Sequence, residues 1–120
     1  MAYINPAHRG IAYGDGYMQG DGSLGQLVKI VGNDLFAVNT GAAVRSCGIL
    51  IKDYKAGDMP GFYCHGGVYE TDVFEGTVQA GDFLKASANG KLTAGVGEGD
   101  VAVAQAISLV GGLLKFQLLI

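Results

Sequence analysis

The feature that most restricts the fold of this chain is the shortness of its apolar runs. From Leu24 onward they are broken every few residues by Gly, Asn and Asp, and no long amphipathic helix can be traced through them. Short runs bounded by turn residues are the pattern of an all-β protein. The expected architecture is a compact antiparallel β-barrel or sandwich of short strands, with at most one or two short helices. A length of 120 residues provides for one such domain.

Leu27 to Val31 and Leu35 to Val38 flank Gly32-Asn33-Asp34 and read as a hairpin. Ala42 to Ser46 has the length of one helical turn, and Gly48 to Tyr54 reads as a strand. An internal echo follows: Ala56-Gly57-Asp58 recurs 24 residues later as Ala80-Gly81-Asp82. In each copy a Gly-Asp turn opens a predicted hairpin, Phe62-Tyr63-Cys64 with Val68-Tyr69-Glu70 and then Phe83-Leu84-Lys85 with Lys91-Leu92-Thr93. Asn89-Gly90 predicts a two-residue type I′ loop. Asp58 and Asp82 are expected to accept backbone hydrogen bonds within their turns.

The last 20 residues, Val101 to Ile120, are apolar but include Gln105, Ser108, Lys115 and Gln117, groups that are costly at mid-bilayer. Past Gly111-Gly112, Leu114, Phe116, Leu118 and Ile120 alternate with Lys115 and Gln117, the period of a half-buried strand. A strand pair accounts for the segment; the competing reading is an Ala-rich helix capped by Asp100 and ending at Gly111.

Residues 1–23 differ in character from the 24–120 β domain. They hold five glycines and show no periodicity, yet they carry Tyr3, Ile4, Ile11, Tyr13, Tyr17 and Met18. Tyrosine offers large contact area with a polar tip. The segment reads either as an extended Gly/Tyr-rich arm that lies on another molecule or as a strap around its own domain.

The functional chemistry that can be excluded is extensive. A formal charge of −3, with eight scattered basic residues, argues against nucleic acid. Gly20-Asp21-Gly22-Ser23-Leu24-Gly25 matches a dinucleotide pattern but lacks the preceding strand that the pattern requires. Cys64-His65 places a thiol beside a base, but neighbours on a strand point to opposite faces. His8 has no evident partner, and two cysteines with two distant histidines form no zinc pattern. Cys47 and Cys64 read as reduced, buried thiols, since nothing in the N-terminus reads as a secretory signal. Glu70, Asp72 and Glu75 cluster between the predicted hairpins and read as a solvated face. No catalytic residue, cofactor or metal is expected. Charged residues make up only 16% of the chain, below the roughly 25 to 35% of a typical soluble surface, which points to packing against partners.

The stretch Gly81 to Ile120, GDFLKASANGKLTAGVGEGDVAVAQAISLVGGLLKFQLLI, resembles the C-terminal portion of small bacteriophage capsid decoration (cement) proteins. These carry a Gly-Asp strand, a Gly-containing hairpin, an Ala/Val-rich strand and a Gly turn before a final apolar strand. The resemblance implies a compact antiparallel β domain, usually a homotrimer, made in the host cytoplasm. It would sit on the capsid exterior of the virion and clamp neighbouring major capsid protein subunits. On that reading Tyr3, Ile4, Tyr13, Tyr17 and Met18 anchor the leading segment at an interface. The alternatives are another phage structural component (a head fibre base or a tail protein), a surface-layer module, and a small β-barrel ligand carrier or enzyme built around Cys64, His65 and Glu70.

Overall fold

The structure, a computed structural model, describes residues 2–8 and 11–120, with the side chains of His8 and Ile11 outside the description. The described residues form β1 (Ile4–His8), β2 (Ile11–Gly14), β3 (Tyr17–Met18), β4 (Leu27–Gly32), β5 (Leu35–Val38), β6 (Gly48–Leu50) and β7 (Gly61–Cys64). They continue with β8 (Val68–Thr71), β9 (Phe74–Glu75), β10 (Phe83–Ala86), β11 (Leu92–Thr93), β12 (Ala104–Val110) and β13 (Leu113–Leu118). The fold is all-β, and the Ala42–Ser46 region is an irregular turn rather than a helix. A seven-stranded sheet runs β1-β8-β13-β12-β10-β11-β9, and a six-stranded sheet runs β2-β7-β6-β4-β5-β3. Pairing is antiparallel except for the two-residue contacts of β9 with β11 and β3 with β5.

The C-terminal hairpin forms as its alternation predicts. Leu114, Phe116 and Leu118 are buried, and Ala106 and Ala104 stand opposite Phe116 and Leu118, so small residues face large ones across the ladder. A register shift between Ala106 and Ser108 turns Ile107 outward. The competing Ala-rich helix is therefore not formed.

Three local expectations are corrected. The Phe62–Cys64 and Val68–Glu70 runs do not pair: β7 belongs to the six-stranded sheet and β8 to the seven-stranded one. His65, Gly66 and Gly67 carry the chain between sheets at φ values of 62°, 67° and 89°. The two strands take other partners, β7 pairing with β6 and β2 and β8 with β13 and β1, so the turn joins two sheets instead of closing a hairpin. The Phe83/Thr93 hairpin does form, but its turn spans Ser87 to Gly90, and only Gly90, at φ 74°, is left-handed. It is thus not a type I′ loop. The strand expected at Gly48–Tyr54 stops at Leu50, after which Tyr54 makes an isolated bridge to Gly22.

The 24-residue echo proves to be a turn motif, and it occurs in Ser23–Gln26, Lys55–Asp58, Gln79–Asp82 and Gly97–Asp100. In each, the side-chain oxygen of the fourth residue accepts the first residue's N–H at 2.7–2.9 Å. The fourth residue's own N–H donates to the first carbonyl at 3.0–3.1 Å. The third residue is always Gly, with φ between 85° and 92°, as a type II turn requires.

Of the two arrangements open to residues 1–23, the described part, residues 2–8 and 11–23, lies on its own domain. β1 adds an edge to the seven-stranded sheet through β8, β2 an edge to the six-stranded sheet through β7, and β3 the opposite edge through β5. Because β2 runs into β3 through Asp15-Gly16, the same few residues supply both edges of the six-stranded sheet and curl it toward a half-barrel. Tyr13 on one edge strand reaches Phe36, beside the other edge, at a ring separation of 6.1 Å. The corner needs Gly16: a Cβ there would lie 2.3 Å from the Asp34 carbonyl oxygen.

Side-chain parity gives the six-stranded sheet two apolar faces. Leu27, Ile49 and Tyr63 point toward the seven-stranded sheet and join Tyr69, Leu84, Leu92, Leu114 and Phe116 in the larger core. Val28, Leu50, Phe62 and Cys64 point the other way, into the curl, where Met18 and Phe36 complete a second core.

Candidate binding site at the mouth of the curled sheet

The second core is open at one end. There a cavity of about 600 Å³ leads inward past Tyr13 to Phe36, Phe62, Cys47 and Cys64. Tyr13, Phe36 and Phe62 form an aromatic triangle with ring separations of 5.1 to 6.1 Å. The outer lip carries Ile30, Val44, Lys29, Arg45, Asp34 and His65. The volume falls within the range of small-ligand pockets, which are concave, largely apolar and provided with a few polar groups.

One side of the lip is the irregular segment 40–46, and a buried asparagine fixes its shape. The Asn39 side-chain amide donates to the Val44 carbonyl and to Ser46 Oγ, both at 2.8 Å, and its Oδ1 accepts the Gly41 N–H at 3.0 Å. The Asn39 N–H donates to the Leu27 carbonyl, and the Val101 N–H to that of Ala42. A loop with these bonds presents Val44 and Arg45 in a set position. Polar residues in a short inter-strand segment were the only sequence signal for this role, and they read equally well as a helical turn.

The thiols in the cavity are suited to packing rather than attack. Burial pushes Cys47 up to about 11 and raises Cys64 as well, so both are neutral near pH 7 and the thiolate nucleophile is not formed. Both are free. His65 lines the same cavity as Cys64, but Glu70, the third member of the enzyme-like trio, sits on β8 in register with Lys115 of β13 and does not line it. The other carboxylates also part company. Asp72 accepts the Tyr3 N–H at 2.7 Å, and Glu75 accepts from the Ser87 hydroxyl and from Asn89 Nδ2. Among the described residues no group of three His, Cys, Asp or Glu could hold a metal ion. No helix of the described residues is long and apolar enough to cross a membrane. The His8 side chain lies outside the description.

The five candidate interface residues divide in two. Ile4 and Met18 are core residues, 9% and 1% exposed, while Tyr3, Tyr13 and Tyr17 are 40%, 37% and 62% exposed. Met59, 61% exposed, follows a turn tied to β3: the Met18 N–H donates to the Asp58 carbonyl and the Gly57 N–H to that of Met18. Tyr17 and Met59 thus lie on bonded neighbouring segments.

No protein-family model matches the chain, and no curated protein sequence matches it. Among solved structures, the crystal structure of the N base of head fiber gp8.5 in bacteriophage phi29 is similar, with a TM-score of 0.62 over 92% of this chain and 94% of that one. Sequence identity is 14%, so what the two share is the fold.

Proposed function

We propose that this chain is a non-enzymatic structural protein of a bacteriophage head. It binds the outer surface of the assembled head as a symmetric oligomer, most simply a homotrimer, and stabilises it by bridging neighbouring major capsid protein subunits. The observation that carries this reading is a fold shared along nearly the whole length of both chains with a protein of a phage head. Neutral, packed thiols and dispersed carboxylates agree with it, as does the sparsely charged surface. Adhesion of this kind requires a rigid body whose weak contacts are multiplied by symmetry, because binding of one copy raises the effective concentration of the next.

The contacts fall to the exposed aromatic and thioether side chains, Tyr3, Tyr17 and Met59, residue types enriched at interfaces. A second reading, the base of a head fibre, is favoured by the same neighbour. The two differ in whether anything projects from the bound protein.

The test mixes purified protein with heads that lack it and counts copies per head by cryo-electron microscopy. Saturable occupancy at symmetry-related sites supports the proposal, and absence of binding refutes it. Tyr3→Glu with Tyr17→Glu should weaken binding at least tenfold, about 1.4 kcal/mol. Deleting residues 2–19 is not a usable probe, because it removes the buried Ile4 and Met18 together with β1 to β3.

A further inference from the structure

We propose that the open mouth of the curled six-stranded sheet is a binding site for a small anionic amphiphile: an aromatic ring system or short aliphatic chain ending in a carboxylate or sulfonate. The site goes beyond the head-binding reading and stands independently of it.

Two observations meet there. The first is shape and polarity: a cavity of about 600 Å³ whose depth is formed by Tyr13, Phe36 and Phe62 and whose lip adds Ile30 and Val44. Removing such apolar surface from water is the main source of affinity for a ligand's hydrophobic part. The second is charge. Lys29 and Arg45 both border the opening, and neither is in an ion pair; among the described residues the one ion pair is Lys85 with Asp100. Asp34 shares the lip, and it and Asp15 both act on Tyr13, so the mouth as a whole is not positively charged. Lys29 and Arg45 are nevertheless two unpaired cations on a chain of net charge −3, at the edge of an apolar hole. An anionic head would sit between Arg45 and Lys29 while its apolar part entered the aromatic triangle. The Asn39 bonds hold Arg45 and Val44 in place before any ligand arrives, which lowers the ordering cost of binding.

The probe is 1-anilinonaphthalene-8-sulfonate, titrated into the intact folded protein and followed by fluorescence. The expected result is saturable binding of one probe per chain, with Kd on the order of ten micromolar, competitive displacement by dodecanoate, and weaker displacement by uncharged dodecanol. Arg45→Glu and Lys29→Glu should each weaken probe binding about fivefold and flatten its dependence on salt, whereas Lys52→Glu, away from the cavity, should change it little. Should Lys29→Glu unsettle its strand, Arg45→Glu still decides the matter, because Arg45 is exposed on a loop. The site is refuted if binding does not saturate or if Arg45→Glu leaves it unchanged. It is also refuted if the probe competes with self-association of the protein, since a second copy's side chain would then be the occupant. None of these outcomes bears on whether the protein binds heads.

Discussion

The two cores share one sheet but differ in how they are closed. The larger core lies between two sheets, and its biggest members, Tyr69 and Phe116, are completely buried and stacked with ring centres 5.7 Å apart. The smaller core lies inside the curl of the six-stranded sheet alone. Met18 is sealed within it, while the Phe36 and Phe62 end opens to solvent through the mouth. Adjacent residues such as Leu27 and Val28, or Ile49 and Leu50, serve the two cores in alternation. The difference separates two tasks. The closed core supplies stability, and the open one keeps apolar surface within reach of a ligand.

Paired truncations should break or sharpen this comparison most forcefully. Phe116→Ala leaves a void with no access to water and should cost about 3–5 kcal/mol. Phe36→Ala enlarges a cavity that is already open at one end, and should cost roughly 1–2 kcal/mol less. Urea unfolding measures both, and equal losses would show that the mouth is closed in solution. Next in size is Asn39→Ala. Losing the buried amide that binds Val44, Ser46 and Gly41 should cost about 1–3 kcal/mol and speed amide exchange through residues 40–46, with protection in β12 and β13 kept relative to global stability.

The smallest effect concerns Glu75, whose carboxyl is held below its ordinary range chiefly by the Ser87 hydroxyl, then by Asn89 and the nearby Lys91. A carboxylate with a depressed folded pKa contributes stability that is complete above its unfolded pKa and lost as pH falls through the folded value. Glu75→Gln should therefore destabilise modestly at neutral pH and lose that difference in acid. Asp100, lowered mainly by the Gly97 N–H and then by Lys85, should behave alike. A Glu75→Gln deficit that persists unchanged in acid would assign the effect to packing.

Much of the architecture was legible where a residue's own period decided its place. Leu114, Phe116 and Leu118 alternate so regularly with Lys115 and Gln117 that the last strand could be read directly, and the Gly-Asp turns carried their own geometry. What could not be read was which sheet a strand would join. Nothing local in Phe62–Cys64 or Val68–Glu70 tells a hairpin from a crossover, because both need a Gly-rich turn between two strands. Only the contacts of β7 with β6 and of β8 with β13, far apart in sequence, decide it. The first 23 residues hid their strands for a related reason. Segments of two to five residues show too few alternations to reveal a period, so Met18 looked like an exposed anchor when it is core. The mouth was the least legible feature, since Lys29, Arg45, Phe36 and Phe62 are brought together by curling rather than by spacing.

The central claim, adhesion to a phage head, is tested most directly by the occupancy of purified heads that lack this protein. Titrating the protein onto them should give saturable density at symmetry-related positions on the outer surface, reduced at least tenfold in apparent affinity by the paired Tyr3→Glu and Tyr17→Glu changes. Heads that stay bare at saturating concentrations of folded protein would contradict the account.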